Sequence, residues 1–250
     1  ILFFLPIAYL TTRYQSKTEA AWYDDTFAYR QTVAITNAGT AQTDFQVAIT
    51  LNTSALIAAG KMQSDCDDIR ITDINGKVLP HWIETGTNAC NTTTTAIWTK
   101  VPSISTTGTT VYLYYGNPSA VSAQNGNNVF LFFDDFAGST VNNDKWTVHA
   151  GAPVISSGLI NFRGGVANDG ITSKATTFLG TGNYSVELRH RINSGSNTWN
   201  FGFSQAFSAT EPTSDSFQLC TTCSNASWIF RNGYSAYYTT TKDTEGLWRI

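Results

Sequence analysis

RQTVAIT at Arg30 to Thr36 and DFQVAITL at Asp44 to Leu51 flank a turn at Asn37-Ala38-Gly39. Each run alternates apolar with polar residues or stays apolar, and Val, Ile and Thr supply much of it. That is the habit of a strand with one face on a core. The same reading extends outward to AIWTKV (Ala96 to Val101), closed by Pro102, and to TTVYLYY (Thr109 to Tyr115), closed by Gly116-Asn117-Pro118. IRIT (Ile69 to Thr72) and VLPHWI (Val78 to Ile83) read as a hairpin about Asn75-Gly76, and TSALIAAGK (Thr53 to Lys61) is the one short helix candidate, ending near Gly60. Asn91 to Thr95 and Ser103 to Thr110 read as threonine-rich loops. Further on, strands are expected at GLINF (Gly158 to Phe162), GITSK (Gly170 to Lys174), NYSVELRHRI (Asn183 to Ile192) and WNFGFS (Trp199 to Ser204). SWIF (Ser227 to Phe230) and YSAYYTT (Tyr234 to Thr240) flank Asn232-Gly233, a strong hairpin signal because both turn residues need positive φ. Strands at this spacing predict an all-β chain of two consecutive antiparallel β-sandwich, jelly-roll-like domains.

Composition agrees and excludes several functions. Charged residues make up 13% of the 250, and the chain holds 37 threonines against 15 Lys plus Arg, so hydroxyls and amides carry its solubility. A net charge of −3 argues against a nucleic-acid binder, which needs clustered cations against phosphate. Aromatics at 13% exclude a disordered tail or a coiled coil.

Ile1 to Leu10 (ILFFLPIAYL) is too short to cross a bilayer and the right length for a signal h-region with cleavage after Ala20, the alternatives being the remnant of a membrane anchor or a buried strand. Residues 1–21 are therefore set aside, 22–133 and 134–250 are the two domains, and the second is expected to be incomplete because Leu247 to Ile250 reads as a strand still running. Contact with a membrane is expected only through the N-terminal segment. Four cysteines in a chain of secreted style favour disulfides: Cys66 with Cys90, which flank the first hairpin, and Cys220 with Cys223 as a local loop bridge or two free thiols.

Certain motifs recur in a familiar order. They are Trp22-Tyr23-Asp24-Asp25 with Phe27-x-Tyr29-Arg30, Asp67-Asp68-Ile69-Arg70, Leu79-Pro80-x-Trp82-Ile83-Glu84, Ile97-Trp98-x-Lys100-Val101-Pro102, Tyr112-x-Tyr114-Tyr115-Gly116-Asn117 and Phe132-Phe133-Asp134-Asp135-Phe136. From Trp22 to Asp135 the chain resembles a microbial surface-protein family known as domain of unknown function 2341, a name that implies no activity. Asp144-Lys145-Trp146, Gly158-Leu159-Ile160, Gly182-x-Tyr184-x-Val186-Glu187-x-Arg189 and Gly246-Leu247-Trp248-Arg249 make the remainder similar to the first part of a concanavalin A-like lectin or glucanase domain of the laminin-G-like sort. The two resemblances together imply an adhesive or glycan-binding surface protein.

Catalytic chemistry is not expected. Jelly-roll glycoside hydrolysis needs two carboxylates on one strand face, as in E-x-D, and no such run occurs. No G-x-S-x-G elbow is present, and His81 and His190 read as structural side chains. Sugar recognition asks instead for aromatic platforms beside amides, and Trp199, Trp228, Tyr234, Tyr237 and Tyr238 lie on adjacent expected strands, with core packing as the alternative reading for most of them, since Trp199, Phe201 and Phe203 share one face. No cofactor is expected beyond a structural calcium ion, for which Asp134 and Asp135 are the candidate ligands, with a turn cap as the alternative reading. Three functions stay open: a non-catalytic secreted or surface module for adhesion or polysaccharide binding, a jelly-roll hydrolase whose acids lie beyond residue 250, and a structural spacer of an envelope or filament.

Overall fold

A computed structural model describes residues 22–162 and 170–174 and, beyond these, the backbone of six strands within 187–249. The chain divides into two units between Phe133 and Asp134.

In the first unit β1 (Tyr29–Ile35) and β2 (Gln42–Leu51) leave the opening turn for different sheets, so the two do not pair with each other. The short helix α1 (Thr53–Ala58) follows. Asn52 caps its start by accepting the N–H of Ala55. Its end is a Schellman turn: Gly60, at φ +66°, donates to the carbonyl of Ile57 while Lys61 donates to that of Leu56. Then come β3 (Arg70–Thr72), β4 (Val78–Leu79), β5 (His81–Ile83), a single 3-10 turn at Gly86–Asn88, β6 (Thr95–Ile104), β7 (Thr109–Tyr115) and the one-turn helix α2 (Gly126–Val129). One antiparallel sheet has the order β1-β7-β3-β4 and the other β2-β6-β5. A single buried cluster draws on both, with Ile71, Leu79, Val111 and Leu113 from the first and Ile49, Ile83, Ile97 and Val101 from the second.

Several details differ from the reading of the sequence. VLPHWI is not one strand: Pro80 breaks it, so Val78–Leu79 pair with β3 whereas His81–Ile83 pair with β6 in the other sheet. A proline has no N–H for a ladder, and here it marks the corner where the chain changes sheets. Pro102, by contrast, does not end its strand. β6 runs on to Ile104, and Pro102 falls opposite Asp44, where the β2 register skips a pair and Asp44 takes φ +49°. Thr95 and Thr109 open β6 and β7, so the expected loops shrink to Asn91–Thr94 and Ser105–Gly108.

In the second unit β8 (Trp146–Ala150) pairs with β11 (Gly170–Ser173), and β9 (Val154–Ser156) with β10 (Leu159–Asn161). Further on, β12 (Glu187–Arg191) pairs with β17 (Glu245–Arg249). The strands β13 (Thr198–Phe201), β14 (Ser216–Cys220), β15 (Trp228–Asn232) and β16 (Ser235–Thr239) form one sheet in sequence order. Asn232 belongs to the ladder, opposite Ser235, so the last hairpin turns one residue later than Asn-Gly implied. The described strands are antiparallel throughout, and the chain is all-β with two short helices among its described residues.

Candidate functional site

The disulfide is formed. Cys66 and Cys90 are bonded with Cα atoms 5.9 Å apart, inside the usual range. A continuing hairpin does not bring them together, since β5 has left for the other sheet. They join the turn that follows α1 to the segment leading into β6. Around the bridge lies a knot of hydroxyls. Fully buried Thr53 and Thr95 share a hydrogen bond of 2.6 Å, Thr53 Oγ1 accepts the N–H of Asn91, and Thr95 donates to the carbonyl of Ala89. The bridge fits an oxidising compartment.

The buried ionisable groups of this unit are committed to the fold. Asp68 is fully buried and accepts the N–H groups of Gly116 at 2.6 Å and Gln63 at 3.2 Å, pinning the turn after α1 to the end of β7. His81 is 2% exposed on the core face of β5, in register with Thr99 and Val47. Burial, helped by the positive charge of Arg70, pushes its pKa down to about 4, so the ring is neutral at pH 7. Neither group has the open, paired geometry of an acid–base catalyst.

The outer face of β5 and β6 carries the aromatic cluster that sequence reasoning missed. Trp82 and Trp98 sit opposite each other in the ladder, and the segment after α2 lays Phe130 and Phe133 across them. Ring centroids lie 4.9 to 5.8 Å apart. Glu84 lies beneath, accepting the Trp98 indole N–H at 2.7 Å on one oxygen and the Asn88 amide at 3.0 Å on the other. The signal was present in the sequence: Trp82 and Trp98 fall on the alternate positions to core residues Ile83 and Ile97. A second group lies on the outer face of the other sheet, where the Arg30 guanidinium stacks between Trp22 at 5.0 Å and Tyr112 at 4.6 Å. Nearby, the hydroxyl and then the N–H of Thr26 hold the carboxyl of exposed Asp24 below the usual carboxylate range.

In the second unit Asp134 accepts the Phe136 N–H at 2.9 Å and the Trp146 indole N–H at 2.6 Å, and Asp135 accepts the N–H of Ala137. Both acids thus cap turns at the start of this unit. Among the described residues no three Asp, Glu, His or Cys side chains come together as a metal site. A groove of about 440 Å³ between the 139–143 and 151–154 loops has no ionisable side chain among the described residues that line it.

The ladder sorts the aromatic candidates. Trp199, Leu219, Trp228 and Thr239 stand in one register row, and Phe201, Phe217, Phe230 and Tyr237 in another; Asn200, Gln218, Ile229 and Tyr238 form the row between. Strand residues alternate between faces, so Trp199, Trp228 and Tyr237 share one face and Tyr238 belongs to the other, with two amides. Tyr234 and Cys223 lie outside the described residues, and Cys220 stands opposite Thr198 at the end of β14. Asp243-Thr244-Glu245 has the spacing of two acids on one strand face in reverse order. Glu245 is opposite Arg191 and Glu187 opposite Arg249 in the register of β12 and β17, while Asp243 lies outside the described residues.

Residues 65–149 match the family model described as Domain of unknown function (DUF2341). The match begins well after Trp22, where the resemblance read from the motifs began, and runs past Asp135. No curated protein and no solved structure matches the chain.

Proposed function

We propose that this chain is a non-catalytic recognition module, secreted or displayed at a cell surface, whose ligand is a polysaccharide. The observation that carries the reading is the β13–β16 ladder: rows rich in Trp, Phe and Tyr alternate with a row holding Asn200, Gln218 and Tyr238. Sugars are bound through their C–H faces on aromatic rings and their hydroxyls on amides, and the face that carries Asn200, Gln218 and Tyr238 offers residues of both kinds. Support comes also from the disulfide, which suits an extracellular life, and from the two buried acids of the first unit, Asp68 and Glu84, whose oxygens are bonded to N–H groups of the fold. The resemblance of the second half to concanavalin A-like domains points the same way.

The test is affinity electrophoresis of the full chain through gels holding soluble β-glucan, xylan, pectin or a chitin derivative. Retardation by at least one of them, without release of reducing ends, is the expected result. Free mobility in every gel overturns the reading in favour of a structural spacer. Release of reducing ends overturns it in favour of a hydrolase.

A further inference from the structure

We propose that Asn75 is a site of spontaneous backbone modification in the folded protein, and that Asn125, the other Asn-Gly pair within the described residues, is protected from it. The reaction is succinimide formation. The backbone nitrogen of Gly76 attacks Cγ of Asn75, the new C–N bond closes a five-membered ring, and the side-chain nitrogen leaves as ammonia, taking the amide proton. Water then opens the ring at either carbonyl, leaving aspartate or isoaspartate at position 75. No redox partner is involved, and water is the co-reactant. Glycine on the C-terminal side favours the attack because no Cβ blocks it.

The two sites have the same dipeptide in opposite settings. Asn75 is exposed at the tip of the β3–β4 turn, beside Ile74 at 54% exposure, and its side chain makes no hydrogen bond among the described residues. Two bonds bear on its backbone. The Asn75 N–H is held by Asp73 Oδ1 at 2.9 Å, and the Gly76 N–H by the Asp73 carbonyl at 3.1 Å. Only the second must break for the ring to close, and it lies at a loop tip where opening is local. Asn125 instead uses its side-chain oxygen to cap α2, accepting the Asn127 N–H at 3.0 Å, and its own N–H is bonded to the His81 carbonyl at 2.8 Å. Gly126 is buried against Phe133, so closely that a Cβ there would lie 2.4 Å from the ring. Ring closure at Asn125 therefore requires the side-chain cap to break and Gly126 to leave its packing against Phe133, while the bond to β5 holds the Asn125 backbone in place.

The consequence at Asn75 is local. Isoaspartate adds a methylene to the main chain between Asp73 and Lys77, both of whose turn bonds run through Asp73, and it adds a negative charge next to that carboxylate.

The test is peptide mapping of the full chain after incubation in mildly alkaline buffer, native and in concentrated urea, against an unincubated control digested at low pH. In urea both sites are expected to convert at similar rates. In the native protein Asn75 is expected to convert at least about tenfold faster than Asn125, because about 1.4 kcal/mol of extra opening free energy is enough for that factor. The Asn75→Gln chain, folded and incubated alongside, should stay unmodified at position 75. Native Asn125 converting as fast as Asn75 would overturn the proposal. So would a native Asn75 that stays intact for as long as the urea-treated chain takes to convert.

Discussion

At the scale of single residues, two glycines with positive φ separate two kinds of constraint. Gly60 closes α1 at φ +66° with nothing within 4 Å of where a Cβ would stand, whereas a Cβ on Gly108, at φ +93°, would lie 2.0 Å from the carbonyl oxygen of Ile35. Gly60→Ala should destabilise by about 1 kcal/mol, the conformational term alone. Gly108→Ala should exceed about 3 kcal/mol, because backbone must move to admit the methyl. Urea unfolding of the two variants measures the gap. His81 gives a pH dependence whose sign follows from its depressed pKa. Between pH 6.5 and about 4 the unfolded chain holds a proton on this ring that the folded chain refuses. Stability is therefore complete above pH 6.5 and is lost as pH falls toward 4, by about 3 kcal/mol in all. Other groups titrate in the same window, so the readout is the difference between wild type and His81→Gln, whose stability profile should be flatter there. Equal slopes for the two proteins would refute this account of the histidine.

Among the elements, what the sequence made legible were the strands, and what it concealed were their partners. Periodicity found β1, β2 and β7 because apolar alternation is local. Pro80 could not be read as a change of sheet, because the destination of His81–Ile83 depends on β6 being there to receive it. Pro102 looked like an end for the same reason: only the skipped pair opposite Asp44 lets a proline continue. The expected cysteine pair formed by a different path from the one its hairpin suggested, since the Cys90 end is held to the Thr53–Thr95 knot through Ala89 and Asn91 rather than by a ladder. The aromatic cluster at Trp82 and Trp98 was missed because its other half arrives from residues 130–133, far along the chain. The bridge closes a short loop, with the cysteines 24 residues apart, and its removal as Cys66→Ala with Cys90→Ala should destabilise the chain by about 3 kcal/mol. Guanidinium unfolding with and without a reductant gives an independent estimate of the same figure for the wild type.

For the molecule as a whole, the division between Phe133 and Asp134 makes residues 22–133 a unit with its own core. Expressed alone, this piece should show β-type circular dichroism and a single cooperative thermal transition. A broad, non-cooperative melt would mean that its core is not self-sufficient. The polysaccharide test then belongs to the full chain, because the aromatic and amide rows that support recognition lie in the second unit.

The segment from Gln124 to Phe133 has a mechanical consequence. Tension entering the first unit through Phe133 does not meet a β-ladder loaded in shear. It meets Phe133 on Trp82, then Phe130 on Trp98, then the Gln46 bond to Val129 and the Asn125 bond to His81, one after another. Contacts loaded singly yield at low force. A single-molecule extension trace should therefore begin with a soft step of at most about 35 Å, the reach of ten extended residues, before the sheets rupture. The Cys66–Cys90 bridge lies outside that segment, so the step should keep its length whether the bridge is oxidised or reduced.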